Sequence, residues 1–230
     1  MWNITPIIGT TFYIYVSRLL KYHFQNNSNK NYIIVNYFSI LHNIILASFS
    51  FYTFISLCKI INDQGIYFGN NMYMSQPYIK NLIFWFYISK YYEYFDTFLL
   101  YVKGREPIFL QKYHHIGAVV CWHLCYKYNV DAVVFGTIFN SCVHSIMYSY
   151  YLMTIFKLNI RGMRMYITSG QMIQLVFGGL YGLYYYYPPV ENMRNYSIIV
   201  FFNLYIVGLI YLFAKFMVIN YCKNPVKKII

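Results

Sequence analysis

Seven apolar runs divide the chain, at 5–20, 33–58, 78–101, 109–128, 131–155, 163–187 and 196–221, and polar connections separate them. A membrane-crossing helix needs about 20 apolar residues, so each run predicts one transmembrane helix, the short first run least strongly. The fourth and fifth are joined by a turn around Asn129 and Val130. The longer connections are 21–32, rich in asparagine, and 59–77, which holds the turn signals NDQG and FGNN. No connection has room for a soluble domain, and no internal repeat of the transporter kind is visible. The pattern therefore predicts one all-α, polytopic membrane domain over 1–230, with seven transmembrane helices enclosing a polar chamber.

Composition agrees. The chain is 59% hydrophobic and 10% charged, with a mean hydropathy of +0.40, whereas a soluble domain carries about 25% charged residues. The net charge of +12 then reads as positive-inside loops rather than as a nucleic-acid footprint. With the N-terminus outside, 13 Lys and Arg fall in inside segments and four outside, while Lys90 lies within a span. This places the C-terminus in the cytosol. Lys227 and Lys228, followed by two isoleucines, resemble the dilysine signal of endoplasmic reticulum membrane proteins, so 222–230 is expected to be a cytosolic tail; an ordinary basic flank is the plainer alternative. The five cysteines sit mostly in apolar runs and predict buried thiols rather than a disulfide framework. Residues 1–20 lack the basic leader of a cleaved signal.

Polar residues inside spans are costly and mark candidate function. In the third run Lys90, Glu93 and Asp96 recur at i, i+3 and i+6, with Thr97 one turn from Glu93. Lys90 and Glu93 read equally well as a structural ion pair, and Asp96 as a partner for a histidine on a neighbouring helix. The fourth run opens Gln111-Lys112-Tyr113-His114-His115. Gln111 shares the side of both histidines, which are themselves about 100° apart and need not do the same work. A neutral imidazole can be a base, a nucleophile or a metal ligand; a pair of packed, hydrogen-bonded histidines is the structural alternative. The fifth run puts Asn140, His144 and Tyr148 or Met147 on one face, and the sixth puts Thr168, Gln171 and Gln174 on one face. Any one stripe could be interhelical glue, but four neighbouring stripes can line one chamber. Cys121, His123 and Cys125 look like a metal box, yet i, i+2 and i+4 do not share a helical face, so no metal site is expected there.

Four motifs in order resemble the ELO family of very-long-chain fatty acid elongases. They are LHNIILASFS at 41–50, Lys90-x-x-Glu93-x-x-Asp96-Thr97, Asn140-x-x-x-His144-x-x-Met147-Tyr148-x-Tyr150-Tyr151, and Thr168-x-x-Gln171-x-x-Gln174. The family's HxxHH box here reads Gln111-x-x-His114-His115. Glutamine cannot titrate and is a poor metal ligand, so a function needing three box histidines is in doubt, and one needing His114 and His115 is not.

The resemblance implies an endoplasmic reticulum 3-ketoacyl-CoA synthase that condenses a long-chain acyl-CoA with malonyl-CoA, with no tightly bound cofactor and no metal. It implies His114 as the residue that carries the acyl group. His144 and Asn140 are then expected to stabilise negative charge, with His115, Asp96 and Gln111 as orienting or acid–base groups. Lys90, Glu93, Tyr148, Tyr151, Gln171 and Gln174 are expected to contact substrate. Lys103, Arg105, Lys112, Lys157, Arg161 and Arg164 are expected to meet CoA phosphates, although positive-inside topology alone explains them equally. Membrane lipid and the reductase and dehydratase of the cycle are the implied partners; a homodimer stays open. The competing readings are a di-iron desaturase, for which six histidines are too few, a seven-helix transporter or receptor, in which Lys215 would invite a Schiff base, and a catalytically altered elongase relative. His42 and His23 are read as lying well away from the boxes.

Overall fold

A computed structural model describes residues 4–25, 32–65, 72–160, 162–184 and 193–222. Among them there is no strand. The helices are α1 (Thr5–Gln25), α2 (Tyr32–Gln64), α3 (Pro77–Tyr92), α4 (Tyr94–Val102), α5 (Phe109–Lys127), α6 (Ala132–Ile155), α7 (Met163–Tyr184) and α8 (Met193–Met217). A wider π turn, Val218–Cys222, follows α8. The third expected span is two helices, α3 and α4, meeting at Glu93, whose backbone N–H bonds the Ser89 carbonyl while its own carbonyl accepts from Asp96. Counting that pair as one rod gives the seven helices expected.

Three helical stretches are long and apolar enough to cross a membrane by length and composition: Ile33–Gln64, Ala132–Ile155 and Arg194–Cys222. The protein is a multi-pass membrane protein. α3 and α4 are each too short to cross on their own, with 16 and 9 residues, and α5 carries Gln111, Lys112, His114, His115, His123 and Lys127, which lower its average. Large apolar side chains face outward along the bundle, among them Ile7, Ile33, Tyr37, Phe177 and Leu204. Such a surface suits lipid, where the backbone must satisfy its own hydrogen bonds and a helix does so.

The helices form a ring. Going round it, α5 packs on α8, α8 on α7, α7 on α6, and α6 most extensively on α2, which reaches back to α3 and α4; α3 then returns to α5. α1 lies against α4 and α5. The connections are set by local chemistry. Asn129 takes a left-handed conformation (φ 52°) just past α5, and Val130 N–H returns to the Cys125 carbonyl at 2.9 Å, a glycine-like helix stop that asparagine tolerates. Two residues on, the Asp131 carboxylate accepts from the backbone N–H groups of Tyr73 (3.2 Å) and Met74 (2.8 Å), tying the α2–α3 connection to the start of α6. Lys103, Arg105, Lys112, Lys157 and Arg164 all fall at the opposite end of the bundle, the basic end. The dilysine motif and Arg161 lie outside the described residues.

Candidate active site

Near the basic end the polar stripes of α3, α4, α5, α6 and α7 converge. Lys90 is 1% exposed, and its ammonium donates to Glu93 Oε1 at 2.7 Å and to Asn140 Oδ1 at 2.8 Å. It also lies 4.1 Å above the Phe86 ring and 5.2 Å from the Trp122 ring, a cation–π setting for a buried charge. Lysine can only donate, so Asn140 presents its oxygen to Lys90 and both amide hydrogens elsewhere. Asn140 lines the central cavity. His144 Nδ1 stands 3.4 Å from Glu93 Oε1 without a well-formed hydrogen bond, and its ring is 6.3 Å from that of His114.

The two histidines of α5 part company. His114 lines the cavity, while His115 is buried against the rings of Tyr13 (6.3 Å) and Tyr94 (6.2 Å). His114 is locked by a residue with no sequence signal, Tyr205 of α8. The Tyr205 hydroxyl donates to the His114 backbone carbonyl at 2.9 Å and lies 3.1 Å from His114 Nδ1. A phenol has one proton. Because the carbonyl takes it, Nδ1 must carry the proton of the second contact. Nε2 is then left with a lone pair. The ring of Tyr205 crosses α5 at Gly117, where any β-carbon would collide with it, so glycine there permits the lock.

Glu93, His114 and His144 each offer a ligand atom within 4.8 Å of the others. That is a metal-ligand set by type. However, the Lys90 ammonium already supplies the positive charge beside this carboxylate, and a dication next to it would be repelled.

Asp96 does not reach the box histidines. Its Oδ1 pairs with His42 Nε2 at 2.9 Å and its Oδ2 accepts from Tyr148 OH at 2.7 Å. His42 therefore belongs to the site's surroundings, contrary to the expectation that it lies apart. Residues 42 and 96 are distant in sequence and meet only because α2 packs on α4. Gln111 donates to Thr97 Oγ1 at 3.4 Å, tying α5 to α4. Gln171 donates to Met147 Sδ at 3.2 Å, and Thr168 to the Arg164 carbonyl. Gln174 lines the cavity, and its buried Oε1 has no hydrogen-bond partner among the described residues. Tyr151 is 41% exposed and packs edge-on to Tyr148. His123 does not meet a metal partner; its Nδ1 lies 3.2 Å from Tyr87 OH.

At the basic end Lys112 and Lys21 both pair with Glu106, and Lys103 donates to Ser39 Oγ at 2.7 Å. Arg105, Lys157 and Arg164 are exposed and form no ion pair among the described residues.

The ELO: GNS1/SUR4 family model matches residues 2–229. The chain belongs to the ELO family. Among its relatives, fatty acid elongase sre1 of Dictyostelium discoideum is 34% identical over 158 residues, covering 65% of this chain and 59% of the relative. Fatty acid elongase 2 of Trypanosoma cruzi is 32% identical over 184 residues, covering 73% and 65%. Very long chain fatty acid elongase 2 of Mus musculus is 30% identical over 155 residues, covering 65% and 52%. The chain thus spans about half to two thirds of the length of these relatives. In this ELO protein Gln111 faces Thr97 rather than the cavity and takes no part in the His114–Tyr205 contact.

Proposed function

We infer that the protein condenses a fatty acyl-CoA with malonyl-CoA, giving 3-ketoacyl-CoA, CO2 and CoA, through an acyl group carried on His114. The observation that carries this reading is the Tyr205 lock, which leaves His114 Nε2 unprotonated at the head of an apolar cavity. Nε2 attacks the thioester carbonyl carbon, the C–S bond breaks, and CoA leaves as the thiol with the proton released from the imidazole. An acyl-imidazole results, reactive enough to pass its acyl group on and sheltered from water by its apolar surroundings. Malonyl-CoA loses its carboxylate as CO2. The electron pair left on its α-carbon attacks the acyl carbon, a C–C bond forms, and the imidazole leaves and takes a proton from solvent.

Negative charge develops on carbonyl oxygens in both steps and needs fixed donors. The Asn140 amide hydrogens, freed by the Lys90 contact, fill that role beside His144. Lys90 and Glu93 position Asn140 and His144; Asp96, held by His42 and Tyr148, stiffens the same wall. Arg105, Lys157 and Arg164, with Lys103 and Lys112, suit the phosphates of CoA at the basic end. That end is assigned to the cytosol, the membrane to the endoplasmic reticulum, and the later reactions of the cycle to separate reductase and dehydratase partners.

Malonyl-dependent elongation by the purified protein, with His114→Ala and Gln111→His alongside, tests the reading. Condensation lost in His114→Ala and retained in Gln111→His supports it. Absence of condensation by well-folded wild type with acyl-CoAs of every length overturns it.

A further inference from the structure

A polar contact joins three helices behind the site: His42 of α2, Asp96 of α4 and Tyr148 of α6. The Asp96 carboxylate can only accept. His42 Nε2 therefore carries the proton of the 2.9 Å contact, and the Tyr148 hydroxyl donates the 2.7 Å one. Each carboxylate oxygen thus has a donor. The His42 ring also stands edge-on to the Tyr148 ring, at 6.1 Å and 90°, so the three side chains close on one another. His42 and Tyr148 are both buried.

Imidazole suits this place for two reasons. It is flat, and the His42 ring packs among those of Phe38 (6.2 Å), Tyr92 (5.0 Å) and Phe95 (6.4 Å). It also carries an N–H. A phenyl ring supplies only the first property and a carboxamide only the second. The fit has a cost, because His42 Nδ1 is buried with no hydrogen-bond partner among the described residues, which is unfavourable. Holding α2 to α6 does not ask for that cost, since those two helices already share the most extensive packing in the ring.

What the contact fixes is Tyr148, and through it His144. His144 lies one turn before Tyr148 on α6, and their rings are 5.5 Å apart at 78°. His144 Nδ1 makes no well-formed hydrogen bond among the described residues. It stands 3.4 Å from Glu93 Oε1, an oxygen that already accepts from Lys90. The angle of the His144 ring is therefore set by the rings around it, Tyr148 on its own helix and His114 at 6.3 Å.

We propose that His42 is a positioning residue for the condensation: through Asp96 it holds the Tyr148 ring, and the Tyr148 ring holds His144 at the angle at which it faces His114. The proposal rests on the condensation reading above. It gives a task to an α2 histidine that does not line the cavity.

The test uses the purified full chain in lipid nanodiscs and two variants, His42→Phe, which keeps a ring, and His42→Gln, which keeps a donor. The first measurement is malonyl-dependent condensation. His42→Phe is expected to lower kcat about 10- to 100-fold, the range for residues that orient a working imidazole. KM for acyl-CoA and malonyl-CoA is expected to stay within about threefold of wild type. His42→Gln is expected to recover most of the rate. Adding Tyr148→Phe to His42→Phe is expected to cost less than the product of the two single losses, since both act through Asp96. The second measurement is the NMR spectrum of protein labelled with 15N in its six histidines, with the His144 signals identified by their loss in His144→Gln. In His42→Phe the His144 ring-nitrogen signals are expected to move while those of His123 stay. A wild-type rate in His42→Phe overturns the proposal, as do unmoved His144 signals or an equal loss of kcat in the two His42 variants. The two readings fail separately. If wild type condenses no acyl-CoA yet the His144 signals move in His42→Phe, the condensation reading falls and the positioning stands; condensation with unmoved signals does the reverse.

Discussion

Helix α5 presents His114 and His115 at its basic end and, more than two turns on, His123 between Cys121 and Cys125. Around His123 the polar atoms answer one another: its Nδ1 meets Tyr87 OH, which also contacts Tyr91 OH and Thr5 Oγ1. Around His114 they do not. Among the described residues, Glu93 Oε2, His115 Nδ1 and Gln174 Oε1 are buried with no hydrogen-bond partner, and His144 Nδ1 is poorly aimed at Glu93. Leaving a buried polar group unsatisfied costs about 1–3 kcal/mol, so such groups persist in number only where something else selects for them. The His123 cluster joins α1, α3 and α5. The His114 cluster leaves such groups in and beside the wall of a cavity that His114, Asn140 and Gln174 line.

The largest expected difference between the two clusters is in turnover. On the acyl-histidine reading proposed above, His114→Ala should lower condensation at least about 1,000-fold, because it removes the atom that carries the acyl group. His123→Phe should leave the rate within about threefold, since it keeps a ring in the same packing and lies outside the cavity. Comparable losses in the two variants, at equal protein levels in the membrane, would erase the distinction. The next effect is on folding. Lys90→Met strands the Glu93 carboxylate in the interior and should destabilise by about 3–5 kcal/mol. Adding Glu93→Gln should recover most of that loss, and unfolding in detergent micelles, followed by circular dichroism, reads both.

How far the site was legible in the sequence follows from which contacts are local. The stripes of Lys90, Glu93 and Asp96 and of Asn140, His144 and Tyr148 are helical repeats, and periodicity alone puts each on one face. That His114 and His115 meet different surroundings also follows from their angular separation. Tyr205 and the pairing of His42 with Asp96 were not legible. His42 and Tyr205 each sit in an apolar run that needs no polar neighbour to make a helix, and each reaches the site only across a helix interface, α2 on α4 and α8 on α5. The break at Glu93 was hidden as well, since no Gly or Pro marks it.

Tyr205→Phe sharpens the comparison within the site itself. It removes the hydroxyl that fixes the His114 tautomer while keeping the ring over Gly117. The expected result is a fall in kcat of about 10- to 100-fold, in line with other residues that orient a working imidazole, with KM for acyl-CoA little changed. A purely structural role would instead lower stability and leave the kcat of folded protein intact.

The smallest effect belongs to the exposed charges at the mouth. Glu106 accepts from Lys112 and from Lys21, at 3.1 and 3.2 Å. Its hydrogen bond to Lys112, followed by the one to Lys21, holds the carboxyl below the usual carboxylate range. A carboxyl depressed by folding contributes stability above its unfolded pKa of about 4.3 and loses that contribution as pH falls through the lower, folded value. Unfolding followed from pH 7 down to pH 3 should therefore show a loss in wild type that Glu106→Gln lacks. Both partners are open to solvent, so salt screens the pair and the difference should stay within about 0.5 kcal/mol. A larger pH-dependent loss would mean that Glu106 is shielded when the protein sits in its membrane. Arg105, Lys157 and Arg164, the cations with no ion pair among the described residues, would then share that low-dielectric setting, where their attraction for a phosphate is much stronger than in water.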